Sequence, residues 1–294
     1  MMKHTIIYKT INQLKLKADF YGTDQDDAPV VVYIHGGGLI WGSRKDISEE
    51  MIQLYTQNGF AVFSIDYRLA PESKLADILE DVQDALFWLE VEGMKQFSID
   101  SKRIAVIGGS AGGFLALCTG TFKNKPRAIV SFYGYGDLRA KWAMNPSTFY
   151  LQKELIPKDL ALKLLSDKIL SEGPVQDRYL FYLYARQQGV WVQEITGFNS
   201  SNDELLKLCP IYQVTEEYPS TLFLHGTNDT DVPYEQSIFM RAALIKNGVY
   251  GRLITIPNGE HVFEKDIHDP IVQDALNQVI EFLKTQLSNW IRLS

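Results

Sequence analysis

Cysteine is nearly absent: only Cys118 and Cys209 occur in 294 residues, far apart and outside any Cys-x-x-Cys or His-rich spacing. That excludes a disulfide framework and a closely spaced zinc site, and predicts reduced structural thiols with no metal and no cofactor. No basic run is present either, and 36 acidic against 29 basic side chains leave a net charge of -7. Nucleic-acid binding needs basic stripes that release counterions from phosphates, so no such partner is expected. No stretch approaches the roughly 20 apolar residues of a membrane-spanning helix, and the start Met1 to Gln13 lacks the unbroken apolar core of a signal peptide. A soluble cytoplasmic protein is the expectation. Histidine is scarce too, with five in the chain, which shortens the search for a catalytic base.

With 46% hydrophobic residues the chain can bury a large core, and one domain over 1–294 is expected. Thr5 to Ile11 and Gln13 to Phe20 alternate weakly, whereas Val30 to Ile34 is a continuous apolar run of the kind a buried strand requires. Asp46 to Asn58 reads as a helix stopped by Gly59, and Phe60 to Ile65 as a strand. Helical spacing over Leu75 to Glu92 precedes a strand, Ile104 to Ile107. Ala128 to Tyr133, Thr221 to Leu224 and Arg252 to Ile256 are further strands; Tyr234 to Asn247 and Pro270 to Trp290 read as amphipathic helices. Repeated β-then-α units predict a mostly parallel sheet covered on both faces. Between two core strands lies Asp137 to Gln213, with helical pieces such as Lys158 to Ser171, and a connection this long predicts a helical cap.

The strand Ile104 to Ile107 runs into Gly108-Gly109-Ser110-Ala111-Gly112 and then an apolar helix. This is the context of a nucleophile elbow, in which glycines permit a tight turn and the serine hydroxyl stands out above the sheet. A serine hydroxyl needs a base, and the base needs a carboxylate to fix its tautomer. His261, on the loop after the last strand, has the expected place; His268 is the rival, readable as a surface histidine near a helix start. The loop after Thr221 to Leu224 offers Asp229 and Asp231, either of which could instead cap the helix near Tyr234, a role that suits Asp231 better. His35-Gly36-Gly37-Gly38, at the end of a buried strand, supplies backbone N–H groups for an oxyanion, with the N–H of Ala111 completing the hole. His35 itself is expected to brace the loop. Trp41 is expected to line the site, while Trp142, Phe149, Tyr150, Tyr182, Tyr184 and Trp191 of the insertion could form either a substrate pocket or plain packing.

Taken together, His35 to Gly38, Asp66-Tyr67-Arg68-Leu69-Ala70-Pro71-Glu72, Gly108 to Gly113 and His225-Gly226-x-x-Asp229-x-x-Val232-Pro233 resemble the hormone-sensitive-lipase-like esterases of α/β-hydrolase fold 3. The resemblance runs from about Val30 to Tyr135 and resumes from about Pro219 to Phe263. It implies an α/β-hydrolase fold, a triad of Ser110, Asp229 and His261, oxyanion donors at Gly37, Gly38 and Ala111, and a structural role for Asp66 to Pro71. Lipase-like members carry aspartate where this chain has Gly109, and a longer leader, so the short-leader branch is the better match. The function implied is a carboxylesterase acting on small or short-chain esters. An amide hydrolase using the same residues, or less plausibly a non-catalytic ligand-binding relative, are the alternatives. General-base catalysis by His261 predicts a kcat/KM that rises with pH through one ionisation at roughly 6 to 7.

Overall fold

The apolar run Val30 to Ile34 is buried on both sides, and that dictates where the helices go. Val30, Val32 and Ile34 belong to one core cluster and Val31 to a second, with Tyr33 packed against the latter. Successive side chains of a strand point to opposite faces, so a strand apolar at every position must be covered twice. The computed structural model describes residues 3–198 and 203–288. Its sheet has the strands β1 (Lys3–Ile11), β2 (Leu14–Tyr21), β3 (Ala28–Ile34), β4 (Ala61–Ile65), β5 (Ile99–Gly109), β6 (Ala128–Phe132), β7 (Ser220–Gly226) and β8 (Gly251–Ile256), in the order β1-β2-β4-β3-β5-β6-β7-β8. β1 and β2 are an antiparallel hairpin added to β4, and the strands from β4 to β8 along that order are parallel. The expected fold, an α/β-hydrolase sheet with helices on both faces, is what forms.

One face carries the helices Leu75–Trp88 and Ala111–Thr119; the other carries Glu49–Gln57 and Pro270–Gln286. The helix Ala111–Thr119 is buried at every position, so it has no polar face at all. It fits between the sheet and Leu75–Trp88, which carries the solvent side.

Several boundaries differ from the sequence expectation for local reasons. Asp46 does not open a helix: it closes a short 3-10 turn, Arg44–Asp46, by a capping box with Ser43, and the α-helix starts at Glu49 under a Ser48 cap. Leu75 to Glu92 is α-helical only to Trp88 and then widens into a π-turn over Leu89–Gly93. β5 begins five residues earlier than Ile104, because Ile99 pairs with Ala28. Of Lys158 to Ser171 only Lys158–Lys163 is helical, and the chain beyond it pairs with other loops, Leu170 O accepting from Leu69 N at 2.8 Å. The last helices are Glu235–Lys246 and Pro270–Gln286; Trp290 lies outside the described residues.

Between β6 and β7 the chain makes helices including Val175–Gln188 and Trp191–Thr196. Arg178 anchors this insertion: its guanidinium donates to the carbonyls of Ile40 and Ala70 and to both oxygens of Glu72. Arg68 holds Asp81 through two nitrogens at 2.7 and 2.8 Å, which locks the segment after β4 onto the helix Leu75–Trp88. Both cysteines are buried and free. Among the described residues no helix is long and apolar enough to cross a membrane.

The tightest contact near the turn after β5 is at Gly112, where an added Cβ would lie 2.1 Å from the carbonyl oxygen of Ile34. Gly112→Ala should therefore lower stability by about 2–4 kcal/mol, an overpacking cost against backbone that cannot swing aside. Gly22→Ala, whose Cβ would meet ordinary contact at 3.6 Å, is the control. Urea unfolding of the two variants measures the difference, and equal midpoints would contradict the packing argument.

Candidate active site

Ser110 is the residue at which β5 turns into the helix Ala111–Thr119. Its backbone stands at φ 56° and ψ -121°, outside the regions L-residues prefer, a strain of about 1–3 kcal/mol that surrounding structure must impose. Two bonds impose it: Ser110 N donates to Phe132 O at 2.9 Å, and Phe114 N donates to Ser110 O at 2.9 Å. The hydroxyl is left without a hydrogen-bond partner among the described residues, beside the positive end of a nine-residue helix.

The loops after β7 and β8 bring an acid and a histidine together. They are tied to each other by backbone: Asn228 N donates to Gly259 O at 2.9 Å, Thr227 N to Ile256 O at 3.1 Å. An added Cβ on Gly226 would strike Gly259 O at 2.1 Å. In this setting His261 Nδ1 meets Asp229 Oδ2 at 2.7 Å. The other oxygen, Asp229 Oδ1, accepts from the N–H groups of Asp231 at 2.9 Å and Val232 at 2.8 Å. His225 Nε2 stands 3.3 Å from Asp229 Oδ2 and donates to Val232 O at 3.0 Å, while its Nδ1 pairs with Ser237 Oγ at 2.8 Å. Burial alone would push the Asp229 carboxyl up. Bonds from His225 and His261, the His261 charge and the Val232 N–H outweigh it and hold Asp229 well below the usual carboxylate range. Burial likewise pulls His261 down, but the Asp229 hydrogen bond and the charges of Asp231, Asp229 and Glu264 outweigh it, so its pKa lies above 6.5.

Ser110 and His261 line one cavity of about 780 Å³, together with Gly36, Gly37, Gly38, Trp41, Tyr133, Asp231 and Glu264. Gly37 and Gly38 have φ of 93° and 60°, a turn that glycine alone makes without strain. Neither of their N–H groups, nor that of Ala111 at the first helical position, donates to another group among the described residues. His35 does brace this loop: its ring stacks on Tyr67 at 4.1 Å, its Nδ1 donates to Gly36 O at 2.9 Å, and burial pushes it down to about 4, so it stays neutral. Tyr67 Oη donates to the carbonyls of His35 and Gly36 at 3.0 and 3.1 Å, which is how the segment after β4 supports the glycines.

His268 is exposed and lies away from Ser110, along a neighbouring cavity of about 290 Å³. Asp231 does not cap the helix Glu235–Lys246, whose first turn has no side-chain cap. Its Oδ1 instead accepts from Tyr182 Oη at 2.8 Å and from Arg186 at 3.0 Å, and its Oδ2 stands 3.9 Å from His261 Nε2. Of the insertion's aromatics, Trp142, Tyr150, Tyr182 and Trp191 are packed around the Arg186 guanidinium at 5.1–5.6 Å, and none of them lines the cavity. The packing reading therefore holds for them, while Trp41 lies in the cavity wall, edge-on to Tyr182 at 5.0 Å.

Sequence reasoning passed over Tyr133 and Glu264. Tyr133 takes a positive φ of 38°, sits 4.6 Å from the His261 ring, and donates to Glu264, whose carboxyl burial pushes up. An added Cβ on Gly109 would lie 2.7 Å from Tyr133 Oη, so a larger residue before Ser110 would require the tyrosine ring to shift. Among the described residues no group of three or more His, Cys, Asp and Glu side chains could hold a metal ion.

Comparison with known proteins bears on the fold and the family. The BD-FAE family profile matches residues 19–156, and the Prolyl oligopeptidase family profile residues 167–289. Non-reducing polyketide synthase prhL of Penicillium brasilianum is 26% identical over 344 residues, covering 97% of this chain and 14% of that protein. The chain thus spans about a seventh of the length of the curated relatives it matches. Solved structures match along nearly their whole length. A protein from Staphylococcus aureus subsp. aureus Mu50 is 24% identical with TM-score 0.80, covering 98% of this chain and 100% of that one. An alpha/beta hydrolase superfamily protein from Enterococcus faecalis is 26% identical with TM-score 0.74, covering 97% and 99%. The propionate-bound esterase Est2 of Thermogutta terrifontis is 20% identical with TM-score 0.67, covering 96% and 93%, a likeness of fold.

Asp229→Asn should bring the His261 titration midpoint down, because it removes the charge that favours the imidazolium and leaves at best a weaker, neutral hydrogen bond. Histidine NMR in the free protein reads this directly, and an unmoved midpoint would sink the assignment of Asp229 as the dominant partner.

Proposed function

The chain has the α/β-hydrolase fold, and on that premise we propose that it is a serine carboxylesterase that cleaves small or short-chain esters through an acyl-enzyme on Ser110. One observation carries the reading: Ser110, held at φ 56° on a strand-to-helix turn, shares a cavity with a histidine whose Nδ1 is held by Asp229 at 2.7 Å. In this mechanism His261 Nε2 takes the Ser110 proton as the hydroxyl attacks the ester carbonyl, then returns it to the leaving alcohol. Water repeats the sequence on the acyl-enzyme. Asp229 fixes the tautomer, with Nδ1–H toward the carboxylate, and stabilises the imidazolium without accepting its proton. The N–H groups of Gly37, Gly38 and Ala111, which no acceptor among the described residues uses, serve the oxyanion; one such donor lowers the barrier by about 3 kcal/mol. Trp41 forms part of the wall against which the substrate lies, and the insertion over 137–213 acts as the cap.

For the ester reading, the fold is one that an esterase of Thermogutta terrifontis, recorded with propionate bound, also has. The match of residues 167–289 to the Prolyl oligopeptidase family favours a second reading, amide hydrolysis by the same triad, since leaving-group preference resides in the pocket rather than the triad. A panel of p-nitrophenyl acetate and butyrate, an acyl thioester, and N-formyl or peptidyl aryl amides separates the two by kcat/KM.

Ser110→Ala should lower kcat by about four orders of magnitude or more and abolish labelling by a fluorophosphonate, with His261→Ala losing as much and His268→Ala staying near wild type. Absence of turnover and of labelling in the wild-type protein would end the serine-hydrolase reading, and loss at His268 instead of His261 would reassign the base. Because the base must be neutral and the surrounding carboxylates raise its pKa, kcat/KM should climb with pH through a midpoint above the ordinary histidine value of 6.5. A limb at or below 6.5 in a pH–rate profile would contradict the electrostatics of the site.

A further inference from the structure

Arg186 is a costly residue in the place it occupies. Its side chain is 2% exposed, enclosed by Trp142, Tyr150, Tyr182 and Trp191, with Nε lacking an acceptor among the described residues. Packing alone does not call for it, because an apolar side chain of similar volume fills an aromatic box without the desolvation of a guanidinium. Among the described residues its one carboxylate partner is Asp231, at 3.0 Å, and Tyr182 Oη bridges the two, accepting from Arg186 and donating to Asp231, each at 2.8 Å. Both bonds go to Asp231 Oδ1. The other oxygen, Oδ2, faces His261 Nε2 at 3.9 Å, on the nitrogen that must carry a proton between serine and leaving group. Untethered, that carboxylate would close the remaining gap and hold the imidazolium by an ion pair on Nε2, where no proton is delivered to substrate.

We propose that Arg186 is a positioning residue that acts through Asp231: from the insertion it anchors and partly neutralises the second carboxylate facing His261, keeping Nε2 open for proton transfer. This rests on the reading of His261 as the base. The insertion is then a working part of the proton-transfer apparatus as well as a cover. The groups that face His261 are Asp229 and Asp231 from the loop after β7, Tyr133 from the end of β6, and Glu264 from the short turn that follows His261. Glu264 is itself engaged by Tyr133. Arg186 is the cation bonded to this group from the insertion.

The test is the titration of His261 by NMR of 13C-labelled imidazole, its signal assigned by loss in His261→Gln. Arg186→Met should raise the midpoint by about half a pH unit or more, and shift the acid limb of kcat/KM upward by the same amount with KM little changed. Arg186→Lys should restore most of the wild-type value. Tyr182→Phe, which keeps the ring and removes one bond to Asp231, should shift the midpoint the same way by less. Asp231→Asn should lower it, and in that background Arg186→Met should produce less than half of its shift in the wild type. An equal shift in both backgrounds would mean a direct field effect and overturn the proposal, as would an unmoved midpoint in Arg186→Met. Should that variant not fold, Tyr182→Phe decides, and a midpoint equal to wild type overturns it. The titration uses no substrate: an active esterase with an unmoved midpoint defeats this inference alone, and shifted midpoints in a protein with no hydrolase activity defeat the functional reading alone.

Discussion

At Ser110 the backbone occupies a conformation that an L-residue enters only under compulsion, and much of the surrounding architecture supplies the compulsion. β5 must end level with β3 and β6, so that Ser110 N reaches Phe132 O. The helix behind it must start so close to β3 that Gly112 touches the Ile34 carbonyl. The two demands together leave the turn one way to run, and the hydroxyl is thrust over the sheet edge where the loops after β3, β7 and β8 converge. A parallel sheet brings those loops to one end because every crossover returns the chain to the same side.

Around that turn the polar groups are held by layers of support rather than by single contacts. Asp229 is bonded by two backbone N–H groups on one oxygen and by two histidines on the other. The glycine loop rests on Tyr67 and His35, and the segment carrying Tyr67 is in turn fixed by Arg68 on Asp81. Geometry of this kind, in which each contacting group is locked by a second, is what holds a reacting constellation within fractions of an ångström.

Much of this was legible in the sequence, and the reasons for the rest are physical. β3, β5 and β6 announce themselves because full burial needs unbroken apolar runs, and Ser110, His261 and Asp229 stand in motifs whose spacing follows from the turns they occupy. Asp231 was read as a helix cap because aspartate before a helix commonly is one; nothing in its own neighbourhood of sequence reveals Arg186, 45 residues away. The aromatic residues of the insertion were ambiguous for the same reason, since a cage around a cation and a wall of a pocket have one composition. Gly109 looked like a departure from a lipase-like pattern. In the structure the Tyr133 ring lies against that position, on a backbone of positive φ that no propensity would assign to tyrosine.

The two aspartates of one loop show how identical side chains acquire different work. Asp229 faces Nδ1, and its charge is stabilised by donors that burial cannot displace, so it remains an anion through the range in which a histidine titrates. Asp231 faces Nε2 at 3.9 Å, where in the proposed mechanism an anion would compete with the reaction for the same proton. A base with a carboxylate on each nitrogen would be stronger but would hold its proton between two anions, and a stronger base that cannot deliver is a poorer catalyst. Placing a buried guanidinium on Asp231 resolves that conflict. It also accounts for the aromatic box, which keeps water away from the guanidinium so that its charge is spent on the carboxylate rather than on solvent.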